Sequence, residues 1–226
     1  MFPDIARDDV FRLETSRLWL RWPRASDAAD LARIAGRREV AEMTARIPHR
    51  YPDGEAHAFV LRAREQNCRG EALNLVATLA RGDRRPIGAI SVTRPAPESP
   101  VDVPMLGYYF DPGLWGRGFA TEAARAVVDA AFLLTSADAL AATVMSDNPA
   151  SAAVLEKLGF AWRESGVGEA AARGVLVPVD RFRLSRRQWS ADRNALVAAS
   201  LAAPRPTAVG APPLLRSGWS AQAAAP

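Results

Sequence analysis

The segment from Trp115 to Thr121 has the composition of a phosphate-binding turn. Gly116 and Gly118 have no Cβ atom, so a ligand or another backbone can approach them closely. A helical pattern follows at once, and the first N–H groups of a helix have no partner within it and lie at its positive end. We therefore predict a cradle for a phosphate or pyrophosphate, formed by Trp115, Gly116, Arg117, Gly118, Phe119, Ala120 and Thr121.

Three classes of ligand use a cradle of this kind. A P-loop requires Gly-Lys-Ser or Gly-Lys-Thr at the helix start, which the stretch from Gly118 to Ala120 does not contain. A dinucleotide fingerprint requires glycine or alanine at its sixth position, which is Thr121 when counted from Gly116, but Asp147 could serve as its acidic residue and this class stays open. Acetyl-coenzyme A is the third class.

A second polar group lies at the start of a later helix. Asn148 followed by Pro149 fits an N-cap and a first helical residue. Ser151 places a hydroxyl in the first turn, where a local bond to the backbone is the simplest use for it. The pair therefore predicts a capped helix start with a hydroxyl beside it.

The elements that position both groups follow from hydrophobic periodicity. We predict a strand over residues 103–110, which leads into the cradle, and a second strand over residues 139–145. The helix between them carries a stripe of small apolar residues: Ala120, Ala123, Ala124, Val127, Val128 and Ala131. Further strands are predicted at 18–22, 73–79, 86–93, 160–163 and 175–184, and further helices at 27–37, 38–44, 54–67 and 148–158. The pattern is that of an α+β protein.

Three segments together resemble one enzyme family. Trp115-x-x-Gly118-x-Ala120 resembles the Arg/Gln-x-x-Gly-x-Gly/Ala signature of the GNAT acetyltransferases. The stretch from Leu13 to Arg21 resembles the Thr-x-Arg-Leu-x-Leu-Arg opening strand of the branch related to ribosomal-protein N-terminal acetyltransferases. The stretch from Asn148 to Phe160 resembles that branch's closing signature, Asn-x-x-Ser followed by an apolar helix and Gly-Phe. Order and spacing match, and the resemblance covers roughly residues 13 to 190.

The resemblance implies a fold and a co-substrate. The expected fold is a twisted central sheet of six or seven strands, mixed and mostly antiparallel, flanked by helices and splayed at the cofactor strand. Acetyl-CoA would bind with its pyrophosphate in the cradle and its pantetheine arm along that strand, beside Tyr108 and Phe110. A bulge near Gly107 would direct an N–H group at the thioester carbonyl. Asn148 and Ser151 would contact the pantetheine arm, and Ser151 would also protonate the leaving thiolate. The resemblance implies no metal.

The base that removes the proton from the amine is not fixed by the sequence. Many relatives have an acidic residue just before the Gly-Tyr of the cofactor strand, whereas residues 103–106 here are Val-Pro-Met-Leu. His49 is the first candidate, because an unperturbed imidazole titrates near neutral pH. Asp102, Asp147 and Tyr108 are weaker candidates, and stepwise proton loss to water is the alternative.

Two functions remain open on these grounds. The first is an acetyl-CoA-dependent N-acetyltransferase, an acyltransferase in which a primary amine attacks the thioester directly in a ternary complex. The amine would belong to a protein N-terminus or to a small molecule. The second is a GNAT-like module without catalysis that binds acyl-CoA or a partner, which the missing acidic residue favours and the presence of Asn148 and Ser151 disfavours.

Length and composition set the remaining expectations. A chain of 226 residues suits an N-terminal extension (1–12), an acetyltransferase domain (13–190) and an Ala- and Pro-rich tail (191–226) expected to be mobile. Cys68 is the only cysteine, and neither a signal peptide nor a membrane span is expected, so a cytoplasmic monomer or homodimer is predicted. Lys157 is the only lysine. Because the arginines are scattered along the sequence rather than clustered, the pI near 9.9 indicates a bias in composition, and no nucleic-acid or membrane partner is expected.

Overall fold

A computed structural model describes residues 1–95 and 102–202 of the chain. Eight strands form one sheet in the order β1-β2-β3-β4-β5-β6-β8-β7. The strands are β1 (Arg12–Glu14), β2 (Leu18–Arg21), β3 (Ala72–Leu79), β4 (Pro86–Thr93), β5 (Met105–Phe110), β6 (Ala139–Met145), β7 (Ala161–Ala170) and β8 (Val175–Ser185). The helices are α1 (Ala28–Ala35), α2 (Arg38–Ala41), α3 (Glu55–Cys68), α4 (Phe119–Leu134), α5 (Pro149–Lys157) and α6 (Arg186–Ala202).

The sheet is antiparallel except at one junction near its centre. β4 and β5 pair without interruption from Gly88↔Phe110 to Thr93↔Met105. β5 and β6 run parallel and share a single pair, Met105↔Ala141. The two strands therefore separate beyond Met105, which confirms the predicted mixed sheet with a splayed strand.

Helices cover both faces of the sheet. Of the small residues predicted to form the apolar stripe of α4, Ala120 is half-buried and the others are buried, and Ala123, Ala124 and Val127 have no exposed surface at all. This helix packs on the same face as the buried side chains of β2 and β5. On the opposite face, α1 and α3 pack over Val76 and Ala89. Small side chains on α4 let its backbone approach the sheet closely. This packing holds the N-terminus of α4 against the end of β5.

The strand count differs from the expected six or seven. The additional strand is β1, three residues that pair with β2 at the edge of the sheet through Leu13↔Leu20. Three residues are too few to establish an alternating pattern in the sequence. β7 is also longer than predicted, since it pairs with β8 as far as Ala170. Ala170 is the only buried residue of this strand, so the sequence carries no alternation of apolar and polar residues that would predict its full length.

The predicted start of the tail falls inside a helix. α6 runs from Arg186 to Ala202, and two side chains of its first half contact α4. The Trp189 ring stacks on Phe132 at 5.0 Å and its Nε1 donates to Asp129 at 2.7 Å. Arg193 also lies 3.4 Å from Asp129, so contacts with the domain continue past residue 190. The rest of the predicted tail, residues 203–226, lies outside the described residues.

Among the helices in residues 1–95 and 102–202, none is long and apolar enough to cross a membrane.

Candidate active site

The predicted cradle is an open turn at the start of α4. Gly116 and Gly118 have φ angles of 73° and 77°, in the left-handed region that glycine adopts without strain. Gly118 is the N-cap of α4, and no side chain caps it. A Cβ atom added to Gly116 would meet nothing within 4 Å. The first N–H groups of α4 are thus left for a ligand, in the geometry that favours an anion.

An ion pair from the opening segment supports the cradle. Glu122, in the first turn of α4, accepts hydrogen bonds from Thr15 Oγ1 at 2.6 Å and from Arg17 Nε at 2.6 Å. Arg17 Nη1 in turn donates to the backbone oxygen of Arg117 at 2.9 Å. Neither Arg17 nor Glu122 was predicted to have this role, although Thr15 and Arg17 belong to the opening motif. The bonds fasten that motif to the turn that would hold the ligand.

The aromatic residues of the cradle hold its backbone. Trp115 is about half exposed, and its Nε1 donates to the Phe110 carbonyl at 2.9 Å, which ties the turn to the end of β5. Phe119 is buried against the core, with the Arg17 guanidinium 4.5 Å from its ring centre. Arg117 is exposed, and it is the only charged residue between Trp115 and Thr121.

The splay leaves one edge of β5 facing a gap. The Ala141 N–H donates to the Pro104 carbonyl at 2.9 Å, and backbone groups alternate sides along a strand. The N–H and C=O of Tyr108 therefore face the side from which β6 has separated. Gly107 faces β4 and pairs regularly with Ser91, so the predicted bulge at Gly107 is wrong. The separation of β5 from β6, rather than an irregularity with β4, exposes the backbone.

The side chain of Tyr108 joins this gap to the start of α5. Tyr108 Oη lies 2.9 Å from Ser151 Oγ, and either oxygen can donate. Tyr108 Oη also lies 3.2 Å from the Ser151 carbonyl oxygen. Burial raises the pKa of the Tyr108 phenol to about 12, against the smaller opposite effect of its bond with Ser151. The phenol is therefore protonated at neutral pH and is a proton donor rather than a base.

Asn148 forms the predicted cap of α5. Its Oδ1 accepts a hydrogen bond from the Ser151 N–H at 3.1 Å, and Pro149 occupies the first helical position. The cap fixes the backbone of Ser151, and Tyr108 fixes its hydroxyl. Three predicted site residues, Tyr108, Asn148 and Ser151, are thus brought together at the edge of the gap.

Residues 17–161 match the family model described as the acetyltransferase (GNAT) domain. The chain belongs to the GNAT family. It is an acyltransferase, as the resemblance implied, and its fold is shared by solved GNAT structures.

Three solved structures illustrate the likeness. The ribosomal-protein-S5-alanine acetyltransferase from Vibrio fischeri superposes with a TM-score of 0.67 at 21% identity, over 79% of this chain and 98% of that one. RimJ from Mycobacterium smegmatis, in complex with CoA-disulfide, gives 0.64 at 23% identity, over 81% and 89%. The Microcin C7 self-immunity acetyltransferase MccE, in complex with acetyl-CoA and AMP, gives 0.64 at 15% identity, over 76% and 93%.

The candidate bases of this GNAT chain are dispersed. Asp147 is paired with Arg173 at 2.6 Å, and that guanidinium lowers the pKa of the carboxyl group. Asp102 pairs with Arg183 at 3.2 Å. His49 is exposed in a cleft of about 500 Å³ between α1 and the start of α3. In the part of the chain that the structure describes, none of the three contacts the Tyr108–Ser151 pair.

Arg173 also links three segments near the start of α5. Besides Asp147, its guanidinium bonds the backbone oxygen of Glu42 at 2.9 Å. The Ala171 N–H donates to the Ala45 carbonyl at 2.9 Å. The β7–β8 turn is therefore tied both to the segment after α2 and to the residue before Asn148.

Within 1–95 and 102–202, no group of three or more His, Cys, Asp or Glu side chains is placed to hold a metal ion.

Proposed function

We propose that this chain is an N-acetyltransferase that moves the acetyl group of acetyl-CoA to a primary amine by direct attack in a ternary complex. The observation that carries the proposal is the arrangement along β5. One strand has an unpaired edge at Tyr108, leads into the open cradle at Gly116 and Gly118, and carries the phenol that bonds Ser151. The strand edge suits a pantetheine arm, the cradle suits a pyrophosphate, and the phenol–hydroxyl pair suits a thioester.

The backbone would hold most of the cofactor. The N–H groups between Trp115 and Thr121 would bind the pyrophosphate, with Arg117 adding a charge. The exposed edge of β5 would pair with the amides of the pantetheine arm as an added strand. Asn148 would contact the arm beside the cap that it forms. Phe110 and Phe119 would position the strand and the turn from the core side, since both side chains are buried.

Ser151 and Tyr108 would supply the proton for the leaving group. The amine nitrogen bonds the thioester carbon and loses a proton to water, the tetrahedral adduct collapses with loss of the C–S bond, and the thiolate takes the Ser151 Oγ proton. Tyr108, protonated and 2.9 Å away, would return a proton to Ser151 and recover its own from water. General acid catalysis of this kind contributes typically about a hundredfold or more to a rate.

Proton loss from the amine would occur through water or through His49. Asp147 is a poor base, because Arg173 stabilises its charged form. His49 is exposed in its cleft and would need the acceptor to bring the amine toward it. Water in the open gap requires no such movement, so we favour a stepwise loss of the proton before attack.

The α-amine of a protein is the acceptor that we test first. Two of the similar structures are named as ribosomal-protein or Rim-type acetyltransferases, and a third is an immunity enzyme crystallised with AMP, so the same fold serves different acceptors. The opening and closing motifs of this chain resemble the branch related to ribosomal-protein N-terminal acetyltransferases, and this resemblance is the reason to test a protein N-terminus first.

The experiment is thiol release from acetyl-CoA with a panel of amines. Short peptides with free N-termini, their N-terminally blocked counterparts and small amines are compared at equal concentration. Amine-dependent release of CoA supports the enzyme, and preference for free N-termini over blocked ones supports the protein acceptor. Tight acetyl-CoA binding without release by any amine would support a non-catalytic acyl-CoA-binding module instead.

A further inference from the structure

A second cleft, on the face of the sheet away from α4, is lined by seven arginines. It has a volume of about 1100 Å³ and lies between the β1–β2 edge, the β3–β4 turn and the helices α1 and α3. We call it the arginine cleft. Four aspartates also line it, and Glu14 and Asp111 pair with two of its arginines, so seven positive charges meet six negative ones and the net charge is +1. Arginines that are far apart in the sequence are thus brought together by the fold at one site.

Five of these arginines are partly neutralised. Arg12, Arg21, Arg33, Arg64 and Arg85 each lie within 4.0 Å of a carboxylate. A guanidinium has five N–H donors, so an arginine that holds a carboxylate keeps donors for a second anion. The paired arginines therefore shape the wall of the cleft and still contribute to its potential.

Two of the arginines have no ion pair among the described residues. Arg24 and Arg84 both line the cleft and are exposed. Arg84 lies in the β3–β4 turn with a φ angle of 56°, a left-handed conformation that few side chains other than glycine adopt. This conformation places the Arg84 guanidinium 3.7 Å from the ring centre of Trp19.

The Trp19 ring gives the cleft an aromatic element. The Arg12 guanidinium also lies near it, at 4.3 Å from the ring centre. Phe11 lines the same cleft and is half-buried. Rings and stacked guanidinium planes beside free cationic groups are the elements with which proteins bind unpaired bases and the phosphates that link them.

We propose that the arginine cleft binds a single-stranded nucleic acid, with Arg24 and Arg84 contacting phosphates and a base stacking at the Trp19–Arg84 pair. An acidic peptide would satisfy the arginines and leave the rings without a role. A duplex would hide the bases that the rings could receive. Arginine is also the cation best suited to phosphate, since its planar fork can make two parallel bonds to one group.

The test measures binding of labelled single strands by fluorescence anisotropy over a range of salt concentrations. Oligouridylate and oligothymidylate of roughly 12 nucleotides cover the site sizes usual for such grooves and distinguish RNA from DNA as the source of the phosphodiester chain. The cleft variant is R24Q/R84Q in the full-length protein. The matched control is R163Q/R187Q, which removes the same charge at two exposed arginines outside the cleft that have no ion pair within residues 1–95 and 102–202.

We expect the salt dependence of binding to differ between R24Q/R84Q and R163Q/R187Q, although the two variants have the same net charge. The slope of log affinity against log salt should fall by about 1.4 in R24Q/R84Q, since each phosphate contact to a single strand accounts for about 0.7. The control should keep the wild-type slope. R84G serves as a second variant, because glycine suits the left-handed backbone and removes the guanidinium without weakening the turn; it should also bind less tightly.

Three outcomes would overturn the proposal. Equal affinities and slopes for R24Q/R84Q and R163Q/R187Q would mean that binding is a property of net charge alone. Displacement of the strand by a polyglutamate peptide at a lower concentration than by unlabelled oligonucleotide would assign the cleft to an acidic protein. No binding of either strand by the wild-type protein at low salt would leave the cleft without a nucleic-acid role.

Discussion

Tyr108 Oη and Ser151 Oγ lie 2.9 Å apart and join β5 to α5 across the gap between β5 and β6. The bond sits where the thioester would end if the cofactor entered from the cradle. Because burial keeps the phenol protonated, the serine hydroxyl has a proton donor behind it. The pair can therefore give a proton to a thiolate and replace it.

Ser151→Ala should lower kcat by about a hundredfold with nearly unchanged affinity for acetyl-CoA, since a lost general acid affects the chemical step. Tyr108→Phe should lower kcat by a smaller factor. If the protons of Tyr108 and Ser151 move together, a plot of kcat against the deuterium content of the solvent should be curved for the wild type and straight for Tyr108→Phe. Tyr109→Phe is the control, because the neighbouring side chain points to the opposite face of β5. If Ser151→Ala changes the melting temperature but not kcat, then Ser151 has only a structural role.

Gly118→Asp should abolish acetyl-CoA binding, because the new side chain puts a negative charge and bulk where the pyrophosphate would lie. The matched control is Gly54→Asp. Gly54 is also a helix N-cap, with a φ angle of 79° against 77° for Gly118, so both variants carry the same backbone strain. Calorimetry should show loss of binding in the first variant only. Wild-type affinity in folded Gly118→Asp would rule out the cradle.

Asn148→Ala should lose both stability and cofactor affinity. Removal of the cap costs about 1 kcal/mol in helix or protein stability. Asn148→Asp separates the two roles, since aspartate is an equally good N-cap but lacks the amide NH2 group. Melting temperature and acetyl-CoA affinity are measured for both variants. If Asn148→Asp binds as tightly as the wild type, then the amide group has no part in holding the cofactor.

Glu122→Gln should reduce the loss in the free energy of unfolding that occurs as the pH falls below about 6. Although burial alone would raise the pKa of Glu122, hydrogen bonds from Thr15, Arg17 and Ser16 lower it in the folded state. A lowered folded pKa stabilises the fold above the unfolded value of about 4.3, and that stability is lost as the pH falls through the folded pKa. Denaturant titrations between about pH 3 and pH 6 should show a smaller loss in the variant. Identical curves for the two proteins would contradict this role for Glu122.

Local patterns in the sequence predict the cradle and the cap because each depends on neighbouring residues. Gly116, Gly118 and the α4 stripe lie within a few turns of one another, as do Asn148 and Ser151. The Tyr108–Ser151 bond joins residues 43 positions apart, and the Arg17–Glu122 bond joins residues 105 apart, so only the fold reveals them. The bulge predicted at Gly107 was wrong because the exposed edge arises from the course of β6, which the residues of β5 do not encode.

The arginine cleft is a further case in which proximity in space differs from proximity in sequence. Arg24 and Arg84, which have no ion pair in the part of the chain that the structure describes, belong to the segment before α1 and to the β3–β4 turn. No run of basic residues marks the site, and the φ angle that brings Arg84 onto Trp19 has no glycine to signal it.

A crystal structure with coenzyme A tests the central claim most directly. We predict the pyrophosphate on the N–H groups between Gly116 and Ala120, the pantetheine arm paired with the free edge of β5, and the sulfur atom within hydrogen-bond distance of Ser151 Oγ. Coenzyme A bound elsewhere, or bound in the cradle with its sulfur directed away from the Tyr108–Ser151 pair, would contradict the account.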